Sequence, residues 1–193
     1  MTERRTQADR SAATRAALVD AAILLLIERG WGATTSVAVC EVANVTRGAL
    51  NHHYADLGEL LSEALIRVCD DFDLGRGESA TTVCGLVDRT WAIVGDRRFK
   101  AVMEAWWAAG NDKDIARTVR PVMSRVATLV APDNSKVPHI RRTEVKTFVT
   151  VSREALLGMA MGRATNGGNP LPHEKAVIAS LRDQARELDL KYA

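Results

Sequence analysis

Residues 34–61 constrain the fold more than any other stretch, because they combine two short helices with a tight turn. Small apolar side chains at helical spacing precede Asn44, a residue that tolerates a left-handed backbone and can end a helix. Thr46 is a suitable N-cap for a second helix over residues 47–53. Asp56 then begins a third helix. This order predicts a helix-turn-helix unit, whose second helix lies in the major groove of DNA.

Residues 14–61 resemble the N-terminal domain of the tetracycline-repressor (TetR) family of bacterial transcription regulators. The resemblance rests on the stretches TRAALVDAAILLLIERGWGATT and VCEVANVTRGALNHHY. Two positions depart from the family pattern. Asn51 replaces an aromatic residue and Leu57 replaces a lysine, and both family residues usually contact phosphates. The remainder of the chain resembles the family only in its helical layout.

The resemblance implies a double-stranded, near-palindromic DNA operator, read by two copies of the second helix. Arg47 is the best candidate base reader, because arginine pairs bidentately with guanine. Asn51 is a candidate reader of adenine. Glycine and alanine at positions 48 and 49 permit a close approach to DNA. The predicted DNA-contacting residues are Thr35, Ser36, Thr46, Arg47, Gly48, Ala49, Asn51, His52 and His53.

The charge balance does not by itself indicate a nucleic-acid partner. The chain carries a net charge of +2, and residues 1–61 hold six basic and seven acidic residues. Non-specific DNA affinity depends on neutralising phosphates, so this domain is expected to have little of it. Arg4, Arg5 and Arg10 form a basic segment within residues 1–10, which we predict to be a mobile arm. The arm either contacts phosphates or is a solvated tail.

Composition favours an all-helical protein of the reducing cytoplasm. The sequence has five prolines and few β-branched runs. Its three cysteines have neither metal-ligand spacing nor the even number of a disulfide framework. No signal peptide is visible, and no apolar run approaches the roughly 20 residues that cross a bilayer. We therefore expect no cofactor, no metal and no membrane partner.

Aromatic and methionine residues concentrate between positions 91 and 123, where three of the four tryptophans lie. Such a cluster forms either core or an apolar pocket for a small molecule. The resemblance implies a pocket among the helices behind the DNA-binding domain. The predicted effector-pocket residues are Trp91, Met103, Trp106, Trp107, Met123 and Phe148.

Two helices are predicted near the C-terminus, over residues 139–165 and 172–188. Small residues on the first of them permit close packing of another helix, and apolar residues line one face of the second. The resemblance implies a four-helix bundle between two subunits, whereas the alternative is packing within one subunit. The predicted dimer-interface residues are Ala155, Gly158, Gly162, Ile178, Leu181 and Ala185.

No catalytic constellation is visible, because His52 and His53 are adjacent and the other two histidines are isolated. The predicted fold is all-α, with a helix-turn-helix domain over residues 1–61 and a helical ligand-binding and dimerisation domain over residues 62–193. The predicted function is a dimeric transcriptional repressor, released from its operator by a small apolar effector. The alternative is a helical ligand-binding protein or enzyme that has lost DNA binding.

Overall fold

The computed structural model describes residues 6–74, 79–130 and 136–193, and these residues form helices and no strand. The helices are α1 (Gln7–Arg29), α2 (Ser36–Ala43), α3 (Arg47–His53), α4 (Leu57–Leu74), α5 (Val83–Val94), α6 (Phe99–Asn111), α7 (Lys113–Val130), α8 (Thr143–Thr165) and α9 (Glu174–Lys191). The predicted all-α fold is confirmed.

The helices are divided between two compact units. The first unit comprises the described residues of Met1–Val68 and Ala101–Met123, and the second comprises those of Cys69–Lys100 and Ser124–Ala193. Helices α4, α6 and α7 each contribute residues to both units. The sequence of the first unit is therefore discontinuous, and the boundary at residue 61 remains a prediction about the extent of the DNA-binding domain.

Helix α1 begins earlier than expected. The hydroxyl oxygen of Thr6 accepts a hydrogen bond from the backbone N–H of Asp9 at 3.1 Å, and the Asp9 carboxylate accepts one from the backbone N–H of Thr6 at 2.8 Å. This reciprocal pair is a capping box, which satisfies two donors at the helix start. Arg10 consequently lies in the first turns of a helix, which corrects its assignment to a mobile arm. Arg4 and Arg5 lie outside the described residues.

The turn between α2 and α3 follows the prediction closely. Asn44 has φ 53° and ψ 47°, which is a left-handed backbone conformation, and its N–H donates to the carbonyls of Cys40 and Glu41. Thr46 caps α3, since its hydroxyl oxygen accepts from the N–H of Ala49 at 3.1 Å. A short helix can hold its direction only if both ends are fixed, so the turn and the cap set where α3 points.

Asn44 offers a direct test of this turn. The left-handed conformation costs a β-branched residue about 1–2 kcal/mol, whereas glycine adopts it freely. Asn44→Val is therefore expected to lower the free energy of unfolding by about that amount, and Asn44→Gly to leave it unchanged or slightly raise it. Urea-induced unfolding measures both. Equal stability of the two variants would show that the turn does not depend on this conformation.

In the second unit, α5 packs against α8 and α9. The Asp189 carboxylate of α9 accepts hydrogen bonds from the backbone N–H groups of Val83 and Cys84, at 2.7 and 3.0 Å. Arg182 of α9 donates to Asp88 of α5 at 2.6 Å. A carboxylate at a helix start satisfies free N–H groups and complements the helix dipole, so α9 is fixed against α5 at this end.

Helix α8 starts at Thr143 rather than near His139, since residues 138–141 form turns before it. Pro121 lies in the interior of α7, and its side chain is exposed. A proline inside a helix removes one backbone hydrogen bond, so α7 is continuous but locally weakened.

Candidate nucleic-acid interface

The surface that we predicted to read DNA is built on two buried side chains. Leu50 of α3 is 2% exposed and Tyr54, which follows α3, is 1% exposed. The backbone N–H of Tyr54 donates to the carbonyl of Leu50 at 2.9 Å and closes the helix. Helix α3 also packs against α1 and α2. These anchors hold one face of α3 inward and leave the other face to solvent.

The outward face of α3 carries most of the predicted DNA contacts. Arg47, Gly48, Asn51 and His52 are exposed, whereas Ala49 and His53 are partly buried. The rings of His52 and His53 meet edge to face, with centroids 5.3 Å apart. Arginine, asparagine and histidine supply the donors and acceptors that base edges and phosphates bind.

The predicted contacts at the start of α2 and α3 also lie at the surface. The hydroxyl oxygen of Thr35 caps α2 by accepting from the N–H of Ala38 at 3.2 Å, and Thr35 and Thr46 are exposed. Ser36 is half-buried. Between α2 and α3 runs a groove of about 430 Å³, whose walls include Val37, Glu41 and Arg47. Sequence reasoning did not identify Glu41 or Val37 as part of this surface.

A pair of charged residues fixes the end of α3. Arg15 of α1 donates two hydrogen bonds to Glu63 of α4, at 3.0 and 2.5 Å, and its guanidinium carbon lies 5.1 Å from the centre of the Tyr54 ring. The hydrogen bond from Arg15 lowers the pKa of Glu63, and burial raises the pKa of Tyr54 to about 12. Arg15 and Glu63 are 48 residues apart, so no local sequence pattern indicates their pairing.

Replacing Glu63 by glutamine tests this pair through pH. The folded-state pKa of Glu63 lies below 4.5, so its stabilising contribution is complete above that pH and is lost as the pH falls through the folded-state value. Glu63→Gln is expected to lower the melting temperature at pH 7 and to have a smaller effect as the pH falls below 4.5. Thermal unfolding at pH 7 and at a series of lower pH values checks this. Asp20→Asn, which breaks the more exposed Arg67–Asp20 pair, is the matched control and should have a smaller effect.

Helices α6 and α7 contact the end of α1 and part of α4 within the first unit. The Glu104 carboxylate of α6 accepts from the backbone N–H of Trp31 at 3.3 Å, just after Gly30 ends α1. The Ser62 hydroxyl of α4 donates to the carbonyl of Thr118 in α7 at 2.8 Å. These contacts connect the exit of α1 to α6 and the first half of α4 to α7. They also place the Glu104 carboxylate at the exit of α1.

The predicted effector-pocket residues fall into both compact units. Met103, Trp106, Trp107 and Met123 belong to the first unit, and Trp91 and Phe148 belong to the second. Trp106 and Trp107 are 52% and 55% exposed, so neither lies in the core. Met103 is buried, and the other three are half-buried.

Some of the predicted dimer-interface residues are exposed, and the others are buried within the protomer. Ala155 and Gly158 of α8 are exposed, and Gly162 is half-buried. Together with Leu171 and His173, these three line a groove of about 800 Å³. The residues on α9, by contrast, are buried within the protomer and offer little surface to a partner: Ile178, Leu181 and Ala185.

Gly158 and Gly162 differ in what surrounds them. A Cβ built on Gly158 meets nothing within 4 Å, whereas one built on Gly162 lies 2.8 Å from Leu171 Cδ1. Gly162 is therefore packed against its own chain, and the open part of the small-residue strip is at Gly158.

Within the described residues, no helix has the length and apolarity needed to cross a membrane. The same part of the chain contains no group of three or more histidine, cysteine, aspartate or glutamate side chains placed to hold a metal ion.

Residues 18–64 match the sequence pattern of the family described as bacterial regulatory proteins, tetR family. This range contains α2 and α3 with the exposed Arg47 face. No curated protein matches the chain in sequence.

Several solved structures share the fold. One is a putative TetR-family transcriptional regulator from a Rhodococcus species, with 16% identity, 89% of this chain and 98% of that chain covered, and a TM-score of 0.69. GusR of Salmonella enterica has 15% identity, coverage of 96% and 98%, and a TM-score of 0.64. A TetR family transcription regulator from Marinobacter aquaeolei has 17% identity, coverage of 92% and 97%, and a TM-score of 0.61.

Proposed function

Since residues 18–64 match the sequence pattern of the tetR family of bacterial regulatory proteins, we propose that the chain is a homodimeric repressor of transcription. In this proposal the dimer binds a near-palindromic operator, and a small apolar effector releases it. The observation that carries the proposal is the exposed face of α3, where Arg47 and Asn51 project from a capped helix whose Leu50 side is buried. A helix held in this way presents a fixed set of polar groups to a groove.

Arg47 and Asn51 are assigned to base edges. They are four residues apart in one helix and therefore lie on the same face. Arginine selects guanine and asparagine selects adenine in the major groove. The hydroxyl-bearing caps at Thr35 and Thr46, with His52 and His53, are assigned to phosphates or base edges, in keeping with the exposure of Thr35, Thr46 and His52. Two copies of this face reach successive major grooves about 34–36 Å apart.

The outward face of α8 is assigned to the dimer interface. Val151 is 60% exposed, and Ala155 and Gly158 continue the same stripe at intervals of four and three residues. This stripe lies about 100° around the helix from the buried Ser152, Leu156 and Met159 and carries no charged side chain at these three positions. Small and apolar residues allow close contact between helices, so a second copy of α8 is the expected partner.

We assign the effector an apolar character because the predicted effector-pocket residues are aromatic and methionine side chains. Trp91 and Phe148 are half-buried in the second unit, and Met103 is buried in the first. An effector releases DNA only through its difference in affinity between the operator-bound and free conformations. Helices α4, α6 and α7 supply residues to both units, and they are the expected carriers of that difference.

Selection from a random duplex library tests the DNA-binding proposal without knowledge of the operator. The expected result is enrichment of one near-palindromic sequence, with half-sites about one helical turn apart or a multiple of it. Binding to the selected duplex should then exceed binding to scrambled DNA by about 1,000-fold or more. Failure to enrich any sequence would overturn the proposal.

Two features favour a second candidate, a helical ligand-binding protein without a DNA function. They are the net negative charge of residues 1–61 and the replacement of two phosphate-contacting family residues by Asn51 and Leu57. The library selection distinguishes the two candidates, because only the repressor enriches a sequence.

A further inference from the structure

The groove between α2 and α3 holds an acidic residue beside the candidate base reader. Glu41 is exposed in the last turn of α2, and Arg47 is exposed at the first position of α3. Both line the groove of about 430 Å³, together with Val37 and Thr46. In the part of the chain that the structure describes, no ion pair joins Glu41 to Arg47 or to another cation. Both charges therefore face whatever approaches the groove.

Cys40 also lines this groove, and burial raises the pKa of its thiol while the nearby positive charge of Arg47 acts in the opposite direction. Arg47 and Glu41 line the same groove without being paired. An approaching phosphate meets one attractive and one repulsive charge.

Glu41 has no evident stabilising role. A carboxylate in the last turn of a helix opposes the helix dipole, which is unfavourable by about 0.3–1 kcal/mol at the surface. The two α2 ends are satisfied by other groups, because Thr35 caps the start and Asn44 donates to the last carbonyls. The Glu41 charge does not stabilise α2, so its effect is expected on a ligand that enters the groove.

We propose that Glu41 is a specificity-determining residue, which weakens non-specific phosphate binding so that only base contacts from α3 hold the protein on DNA. The proposal rests on the proposed DNA-binding function. It agrees with the charge balance of residues 1–61, where a net negative domain carries the exposed Arg47. Sequence discrimination is a difference between two affinities, and a repulsive charge that lowers the non-specific one widens that difference.

The test compares Glu41→Gln with the wild-type dimer on two duplexes, the library-selected operator and a scrambled sequence of the same length. Removing one repulsive charge per subunit is expected to raise affinity for scrambled DNA about three- to tenfold at low salt. The operator affinity should rise less, so the ratio of the two affinities falls. Glu187→Gln, an equal change of charge at an exposed position of α9, is the matched control and should leave the ratio unchanged.

Each outcome decides the proposal. A lower ratio in Glu41→Gln but not in Glu187→Gln supports it. An unchanged or higher ratio, or the same change in both variants, overturns it. If the wild-type protein itself enriches no sequence, the proposed function fails, and that result is read from the selection before any variant is compared. Matching thermal unfolding curves for the three proteins confirm that they are compared in the folded state.

Discussion

Arg47→Ala is expected to weaken operator binding by about 1–3 kcal/mol per half-site, or about 5- to 150-fold. The residue is exposed at the first position of α3, and Thr46 caps the helix through the N–H of Ala49, so the Arg47 side chain is not needed for folding. Its loss removes a bidentate contact to guanine. The preference for one base pair per half-site should disappear. Fluorescence anisotropy at fixed salt, with single-position operator variants, measures both effects.

Two comparisons isolate the role of the Arg47 side chain. Arg47→Lys keeps the charge but cannot form the two parallel hydrogen bonds, so it should retain affinity for scrambled DNA and lose preference at the same base pair. Arg29→Ala removes an exposed arginine from the last turn of α1, outside the predicted DNA-contacting residues, and should preserve the preference. Unchanged affinity and base preference in Arg47→Ala would remove Arg47 from the reading surface.

Gly158→Asp is expected to produce monomers that no longer bind the operator. The position is exposed in one protomer with nothing within 4 Å of an added Cβ, so the variant should fold. In a dimer formed through the Val151–Ala155–Gly158 stripe, each new carboxylate would be buried without a partner. An unpaired buried charge costs about 3–5 kcal/mol, which raises the dimer dissociation constant about 100-fold or more. Sedimentation velocity and operator binding measure the two consequences.

The control for this variant is Ala127→Asp, which adds the same charge at an exposed position of α7 in the second unit. It should leave the dimer intact. Gly162 is a poorer position for the test, because an added side chain there meets Leu171 of the same protomer. An intact Gly158→Asp dimer would show that the outward face of α8 is not the interface.

The local features of the DNA-binding domain could be predicted because they depend on neighbouring residues. The bounds of α3, the left-handed Asn44 and the Thr46 cap each follow from the preferences of a few adjacent residues, and all are confirmed. The pairing of Arg15 with Glu63 could not be predicted. It depends on which turn of α1 meets which turn of α4, and an apolar pattern indicates a buried face without naming its partner.

An apolar pattern does not name its packing partner, and this also explains why the structure differs from the sequence predictions in the second half of the chain. The apolar stripe of α9 suits burial within a protomer or between two, and the structure buries Ile178, Leu181 and Ala185 within one. The buried face of α6 is occupied by smaller side chains such as Ala101, Val102 and Ala105, and Trp106 and Trp107 lie at the surface.

The discontinuous first unit limits how this chain can be recombined. A hybrid protein made by a single exchange after residue 61 would import a foreign α6–α7 pair beneath the native reading helices. The amide of Trp31 would then lose the Glu104 carboxylate as its acceptor, because the two residues come from separate stretches of sequence. A working hybrid must therefore transplant two segments at once, residues 1–68 together with 101–123. The contacts between these segments, such as that of Trp31 with Glu104, are then kept.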